Sequence, residues 1–113
     1  MSSAALTEPQ HLFVLVSGAD HRLKSALTAV EGVHFAPEPG SAYDVRIEVA
    51  AQEISQEERM TLLARIRTEA KAAAPARVCA VLRGGDRATA ALIQYLRDAH
   101  AVTGQVLAAE PEA

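Results

Sequence analysis

Two short runs of consecutive apolar residues stand out along the chain. Residues 12–16 (LFVLV) and 78–82 (VCAVL) consist entirely of apolar residues. This pattern is typical of strands that are buried on both faces of a parallel sheet. A third segment, residues 43–49, alternates apolar with polar residues. The alternation predicts a strand with one solvated face, and we place it near an edge of the sheet.

Three segments show the three-to-four-residue apolar spacing of amphipathic helices. The first begins after Asp20, which is a suitable N-cap, and ends near Gly32. The second opens with the capping box Ser55–Glu58 and stops at Pro75. The third is capped by the turn 83–86, which ends in Asp86, and extends to Ala99.

The same spacing assigns a core-facing side to the two longer helices. On the second helix this side carries Met60, Leu63, Ile66 and Ala70. On the third it carries Ala88, Ala91, Leu92, Tyr95, Leu96 and Ala99, with Ile93 lying off the stripe.

A brief strand at residues 33–35 and a candidate last strand at 105–108 complete the order β-α-β-β-α-β-α(-β). Two α/β folds share most of it. The short link between the second and third strands suits a hairpin and a ferredoxin-like sandwich. The apolar run 78–82 suits an interior strand of a small doubly wound sheet, and we prefer this second fold.

The element order resembles flavodoxin-like and receiver-like domains. Receiver domains carry an acidic pair after the first strand and a phosphoacceptor Asp after the third. Here the first strand ends in Ser17-Gly18 and the third in Val49-Ala50. A phosphorylatable receiver is therefore not expected, and the sequence identifies no family.

Composition indicates one globular domain. Of 113 residues, 50% are hydrophobic, and the formal net charge is −3. We place the domain at residues 12–107, between flexible tails at 1–11 and 108–113. We see neither a membrane span nor a secretion signal, and the single Cys79 suits a reducing compartment. We expect a cytoplasmic protein without nucleic-acid or membrane partners.

The segments 14–20 and 80–86 repeat one pattern: an apolar strand, a glycine turn, an Asp and a helix. If the two strands are neighbours, both turns flank one crevice at the carboxyl edge of the sheet, where such sheets bind ligands. Glycines allow close approach of the backbone, and arginines can clamp a phosphate. The candidate ligand-binding residues are Ser17, Gly18, Asp20, Arg22, Arg83, Gly84, Gly85, Asp86 and Arg87.

The same pattern is also the ordinary way to connect a strand to a capped helix, and this structural interpretation is favoured. Neither turn matches a full G-x-G-x-x-G or G-x-x-x-x-G-K-[ST] motif. Histidines are scattered, Cys79 is expected to be an inert core thiol, and the polar residues Asp44, Arg46 and Glu48 are expected to form a solvated face. We expect no catalytic residue, metal or cofactor.

The sequence thus leads first to a non-catalytic domain for regulation or protein interaction, through a partner or self-association, with residues 45–49 as the exposed edge. The alternative is a binder or sensor of a phosphorylated small molecule or nucleotide at the two turns. A small enzyme using Asp20, His21 or Asp86 as acid or base has the least support.

Overall fold

A computed structural model describes residues 13–35 and 42–111 of the chain. Its elements are β1 Val14–Ser17, α1 His21–Ala26, β2 Val33–Phe35, β3 Val45–Ala50, α2 Gln56–Ala73, β4 Arg77–Leu82, α3 Asp86–Asp98 and β5 Val106–Ala108. The strands form one sheet in the order β2-β1-β3-β4-β5, and all four strand pairings are parallel. The α/β fold with a doubly wound parallel sheet is confirmed, and the ferredoxin-like alternative, which needs antiparallel pairs, is wrong.

The expected place of β3 near an edge of the sheet is wrong, and the condition that the two apolar strands are neighbours is not met. β1 and β4 are both parallel and interior, but β3 lies between them, so they are not neighbours. The β2–β3 link is not a hairpin, because β2 lies at the edge beyond β1 and runs parallel to it. Among the described residues the edge strands of the sheet are therefore β2 and β5, and β3 is central.

The polar side chains of β3 form ion pairs with α2. The alternation of apolar and polar residues in this strand therefore does not mark a solvated face. Arg46 pairs with Glu69, and Arg65 pairs with Glu48. Arg65 also reaches Glu69 at 2.9 Å between Nη1 and Oε2. Because opposite charges on a neighbouring helix can satisfy a strand's polar side, alternation does not by itself indicate solvent.

Both faces of the sheet carry a core. On one face, β1, β3 and β4 contribute Val16, Ile47 and Val81, among others, to a layer covered by α1 and α3. On the other face, Val78, Ala80 and Leu82 of β4 pack against α2. Every residue of β4 is buried, as the apolar run predicts.

The helices α1 and α3 share a face because of an unusual crossover. The β3–α2–β4 and β4–α3–β5 connections step in the same direction across the sheet, yet α2 and α3 lie on opposite faces. Two such connections have opposite hands, so one departs from the right-handed rule that holds in about 98% of cases. As a result α3 contacts α1, and their N-termini emerge side by side at the carboxyl edge.

The predicted core-facing sides of the two longer helices need correction. On α2, Ile66 and Ala70 are buried as predicted, but Leu62 joins them and Met60 is 63% exposed. The α2 sequence has apolar residues on several sides, so spacing alone could not choose the buried row.

On α3, the buried residues are Thr89, Ala90, Ile93 and Leu96, while the predicted Tyr95 is 56% exposed. Thr89 is buried because its hydroxyl accepts the N–H of Gly84 at 3.0 Å. Because this threonine is buried and hydrogen-bonded, the buried side of α3 differs from the side that the apolar residues alone predict.

No helix within the described residues is long and apolar enough to cross a membrane. The predicted N-terminal tail, residues 1–11, lies outside the described residues. At the other end, the candidate last strand is present as β5, and packing continues to Ala109, which is 5% exposed.

A buried arginine holds the C-terminal end of α3. Arg77, at the start of β4, is 7% exposed. Its Nη1 donates to the carbonyl oxygens of Leu96 at 2.7 Å and Ala99 at 2.6 Å, and its Nη2 to that of Arg97 at 2.8 Å. These are the carbonyls that a helix leaves unpaired, at the end where its dipole favours a cation.

Replacing Arg77 tests how much this cap contributes to stability. Arg77→Met leaves buried carbonyl groups without a donor, so we expect the free energy of unfolding to fall by about 2 to 4 kcal/mol. Urea denaturation measures the change. Arg59→Met, at an exposed position of α2, is the matched control and should cost less than about 0.5 kcal/mol. Equal losses in both variants would contradict the capping role.

Candidate functional site

The β1–α1 turn is packed tightly against the end of β3. Gly18 has φ +84, and a Cβ placed there would lie 2.3 Å from the carbonyl oxygen of Val49. Only glycine fits both the left-handed backbone and this contact. Asp20 then caps α1, since its Oδ1 accepts the N–H of Leu23 at 2.9 Å.

The β4–α3 turn is packed against the C-terminal segment instead. A Cβ on Gly84 would lie 2.1 Å from the carbonyl oxygen of Glu110, and the N–H of Gly85 donates to that oxygen at 2.9 Å. The expected Asp86 cap is wrong: Asp86 is the first residue of α3, and the N-cap is Gly85, which has no side chain with which to cap the helix. The two turns that look alike in sequence therefore differ: one helix start is capped by a carboxylate, and the other is not.

The two turns meet although their strands are separated by β3. Arg83 Nη1 lies 3.1 Å from Asp20 Oδ1, and Arg22 Nε lies 3.2 Å from Asp86 Oδ2. Arg83 Nη2 also lies 2.5 Å from Asp86 Oδ1. These crossed ion pairs tie each turn to the other, and they are possible because α1 and α3 lie on the same face of the sheet.

An open polar crevice of about 230 Å³ lies between the turns. It is lined by Arg22, Gln52, Arg83, Gly84, Gly85 and Asp86. Successive strands are added outward from β1 to β2 on one side of the sheet and from β3 to β4 and β5 on the other. Ligands bind such sheets beyond the carboxyl ends of the strands, near the point where these two directions part, which here lies between β1 and β3. The crevice therefore occupies the position at which the fold offers a binding site.

The structure brings together most of the candidate residues but not all of them. Five line the crevice, and Asp20 joins them through Arg83. Ser17 and Gly18 lie behind the site at the end of β1, and Arg87 is exposed and outside the crevice lining. Gln52 was missed, because β3 was placed at an edge; a polar residue just after an interior strand is the signal that would have found it.

The positive charges of Arg22 and Arg83 are balanced by the negative charges of Asp20 and Asp86, with which they form ion pairs. The pKa of Asp20 lies below its ordinary value, mainly because its carboxylate accepts the N–H of Leu23, with Arg83 adding to the effect. Asp86 and Arg83 are the more enclosed partners, with side chains 22% and 23% exposed.

The other sequence candidates stay outside the site. Cys79 is fully buried, and burial raises the pKa of its thiol, so the thiolate is disfavoured. His34 is exposed and stacks on Phe13 with ring centroids 3.9 Å apart. Within residues 13–35 and 42–111, no group of His, Cys, Asp and Glu side chains is arranged to hold a metal ion.

Two glycine variants separate backbone strain from steric overlap. Gly104 also has positive φ, +71, but the nearest atom to a Cβ there is 3.7 Å away. We expect Gly104→Ala to cost about 1 kcal/mol through strain alone. Gly18→Ala adds overlap with the Val49 backbone and should cost more than about 3 kcal/mol. Equal losses in urea denaturation would show that the contact with Val49 carries no energy.

Stability should fall as the pH is lowered, because three carboxyl groups have lowered pKa values in the fold. Besides Asp20, the pKa of Glu48 is lowered by Arg65, and that of Glu58 by the N–H of Ser55. Such groups stabilise the fold above their unfolded pKa of about 4, and the contribution is lost as the pH falls through the folded pKa. Asp20→Asn keeps a capping oxygen but does not titrate. Its melting temperature should therefore fall less steeply below about pH 4 than that of the wild type, and identical profiles would contradict this.

Comparison with known proteins adds one finding to this geometry. No curated protein and no solved structure matches the chain. A protein-family model described as "SDR-like: Short chain dehydrogenase-like protein" matches residues 17–109. The matched range runs from the last residue of β1 to the residue after β5 and includes both turns of the crevice. Since the match spans most of the chain, the protein belongs to the short chain dehydrogenase-like family.

Proposed function

We propose that this protein is a non-catalytic member of its family that binds a small phosphate-bearing molecule, such as a nucleotide, in the crevice between the β1–α1 and β4–α3 turns. One observation carries the proposal. Arg22 and Arg83, which belong to different turns, converge on the same open crevice at the ligand-binding edge of the sheet. Membership of a family named after dehydrogenases supports a nucleotide as the ligand class.

The chemistry of the crevice suits an anion. The first-turn N–H groups of α3 point toward its N-terminal end, where the helix dipole is positive and Gly85 provides no side-chain cap. Arg83 and Arg22 can donate charge-assisted hydrogen bonds to phosphate oxygens. Both now bind Asp86, so an incoming phosphate exchanges with the Asp86 carboxylate as their partner.

The lining residues favour binding over catalysis. They are arginine, glutamine, glycine and aspartate, without a hydroxyl, thiol or imidazole nucleophile. The lining carboxylate, that of Asp86, already pairs with Arg22 and Arg83 through its two oxygens.

A protein-interaction role has less support from the fold. The expected edge at residues 45–49 is interior. The true edges, β2 and β5, are each three residues long, and short edge strands disfavour pairing with another chain. The fold therefore supports ligand binding more than protein interaction.

Calorimetric titration tests the site with inorganic phosphate, pyrophosphate and AMP as probes. We expect binding by at least one probe. Arg83→Gln should weaken it at least about tenfold, because it removes a charged donor. Asp86→Asn should strengthen it, because it removes the competing negative charge at constant size. Arg59→Gln, on the exposed side of α2, is the control and should leave the affinity unchanged.

Two results would defeat the proposal. One is the absence of binding for all three probes up to about 10 mM, since a Kd weaker than this corresponds to less than about 3 kcal/mol. The other is binding that Arg83→Gln and Arg59→Gln affect equally. A melting-temperature series gives an independent check, because a ligand at 100 times its Kd adds about 2.7 kcal/mol to the stability.

A further inference from the structure

We infer that this member of the family does not bind a nicotinamide dinucleotide, the hydride carrier that the word dehydrogenase implies. Dinucleotide-binding sheets place the pyrophosphate on a G-x-G-x-x-G turn between the first strand and its helix. The turn of this protein that occupies the same place in the fold is Gly18–Leu23. Its residues and contacts do not fit that group.

The second and third glycines of the motif are replaced by residues with other tasks. In the frame set by Gly18, Asp20 stands at the second position and Leu23 at the third. The second glycine lets the backbone approach the pyrophosphate, and the third allows the helix to pack closely on the strand. Here Leu23 is a fully buried core residue, so its side chain fills the space that close packing would need.

Asp20 occupies the place of the pyrophosphate with negative charge. Its carboxylate accepts the N–H of Leu23, one of the amides that a bound phosphate would use. The hydrogen bond from Leu23 and the ion pair with Arg83 keep this carboxylate ionised at neutral pH. A pyrophosphate would meet a fixed like charge at a helix only six residues long.

Two observations that do not involve charge also argue against a bound dinucleotide. They are the backbone contact of Gly18 and the volume of the crevice. The Gly18 backbone already contacts the Val49 carbonyl, so the turn is closed against β3. The crevice of about 230 Å³ lies below the roughly 300–1,000 Å³ of pockets that enclose drug-sized ligands. A dinucleotide is too large for this crevice. That a single phosphate group with a small attached moiety occupies it rests on the proposed function.

Titration of the whole chain with NADH and NADPH, followed by the fluorescence of the reduced nicotinamide and by calorimetry, tests the inference. We expect no saturable binding tighter than about 1 mM. A dehydrogenase of known affinity is the positive control for the assay. Saturable binding of either dinucleotide below about 1 mM would overturn the inference.

The same titrations, run beside those with inorganic phosphate and AMP, separate the two conclusions. Binding of phosphate or AMP without binding of NADH or NADPH supports both. Absence of binding for all of them defeats the proposed function and still supports the exclusion of the dinucleotide. Binding of phosphate or AMP together with NADH keeps the proposed function and defeats the exclusion.

Discussion

The apolar layer that α1 and α3 share on one face of the sheet is the constraint on which the rest of the structure depends. Leu23 of α1 and its C-cap residue Leu27 lie in one buried cluster with the sheet and with Ile93 and Leu96 of α3. Both helices follow parallel strands, so their N-termini meet at the carboxyl edge. With α3 on the other face, as right-handed crossovers throughout would place it, Arg22 and Asp86 would lie on opposite sides of the sheet.

The site also shows how one residue changes the chemistry of a turn. Both turns begin with a glycine that touches backbone, Gly18 on Val49 and Gly84 on Glu110. Asp20 caps one helix, while Gly85 leaves the other without a side-chain cap. The glycines thus serve the packing of the chain, as the structural interpretation of the motif expects, and the crevice is defined by the arginines and carboxylates around them.

Family membership and local chemistry lead to different expectations here. The match to a dehydrogenase-like model agrees with the parallel α/β sheet. The first turn, however, carries a carboxylate where a cofactor phosphate would lie. Fold alone does not fix activity, because activity depends on the particular groups that the turns present.

The sequence by itself determined the local features: the buried apolar run of β4, the Asp20 and Ser55 caps, the alternation of strands and helices, and the residues of the two turns. These follow from the burial and capping of neighbouring residues in the chain. Only the tertiary structure decided that β3 separates β1 from β4, that Arg46 and Glu48 face α2, and that Gln52 joins the crevice. Strand order and the side on which each helix crosses depend on contacts between distant segments, and no local pattern of apolar and polar residues records them.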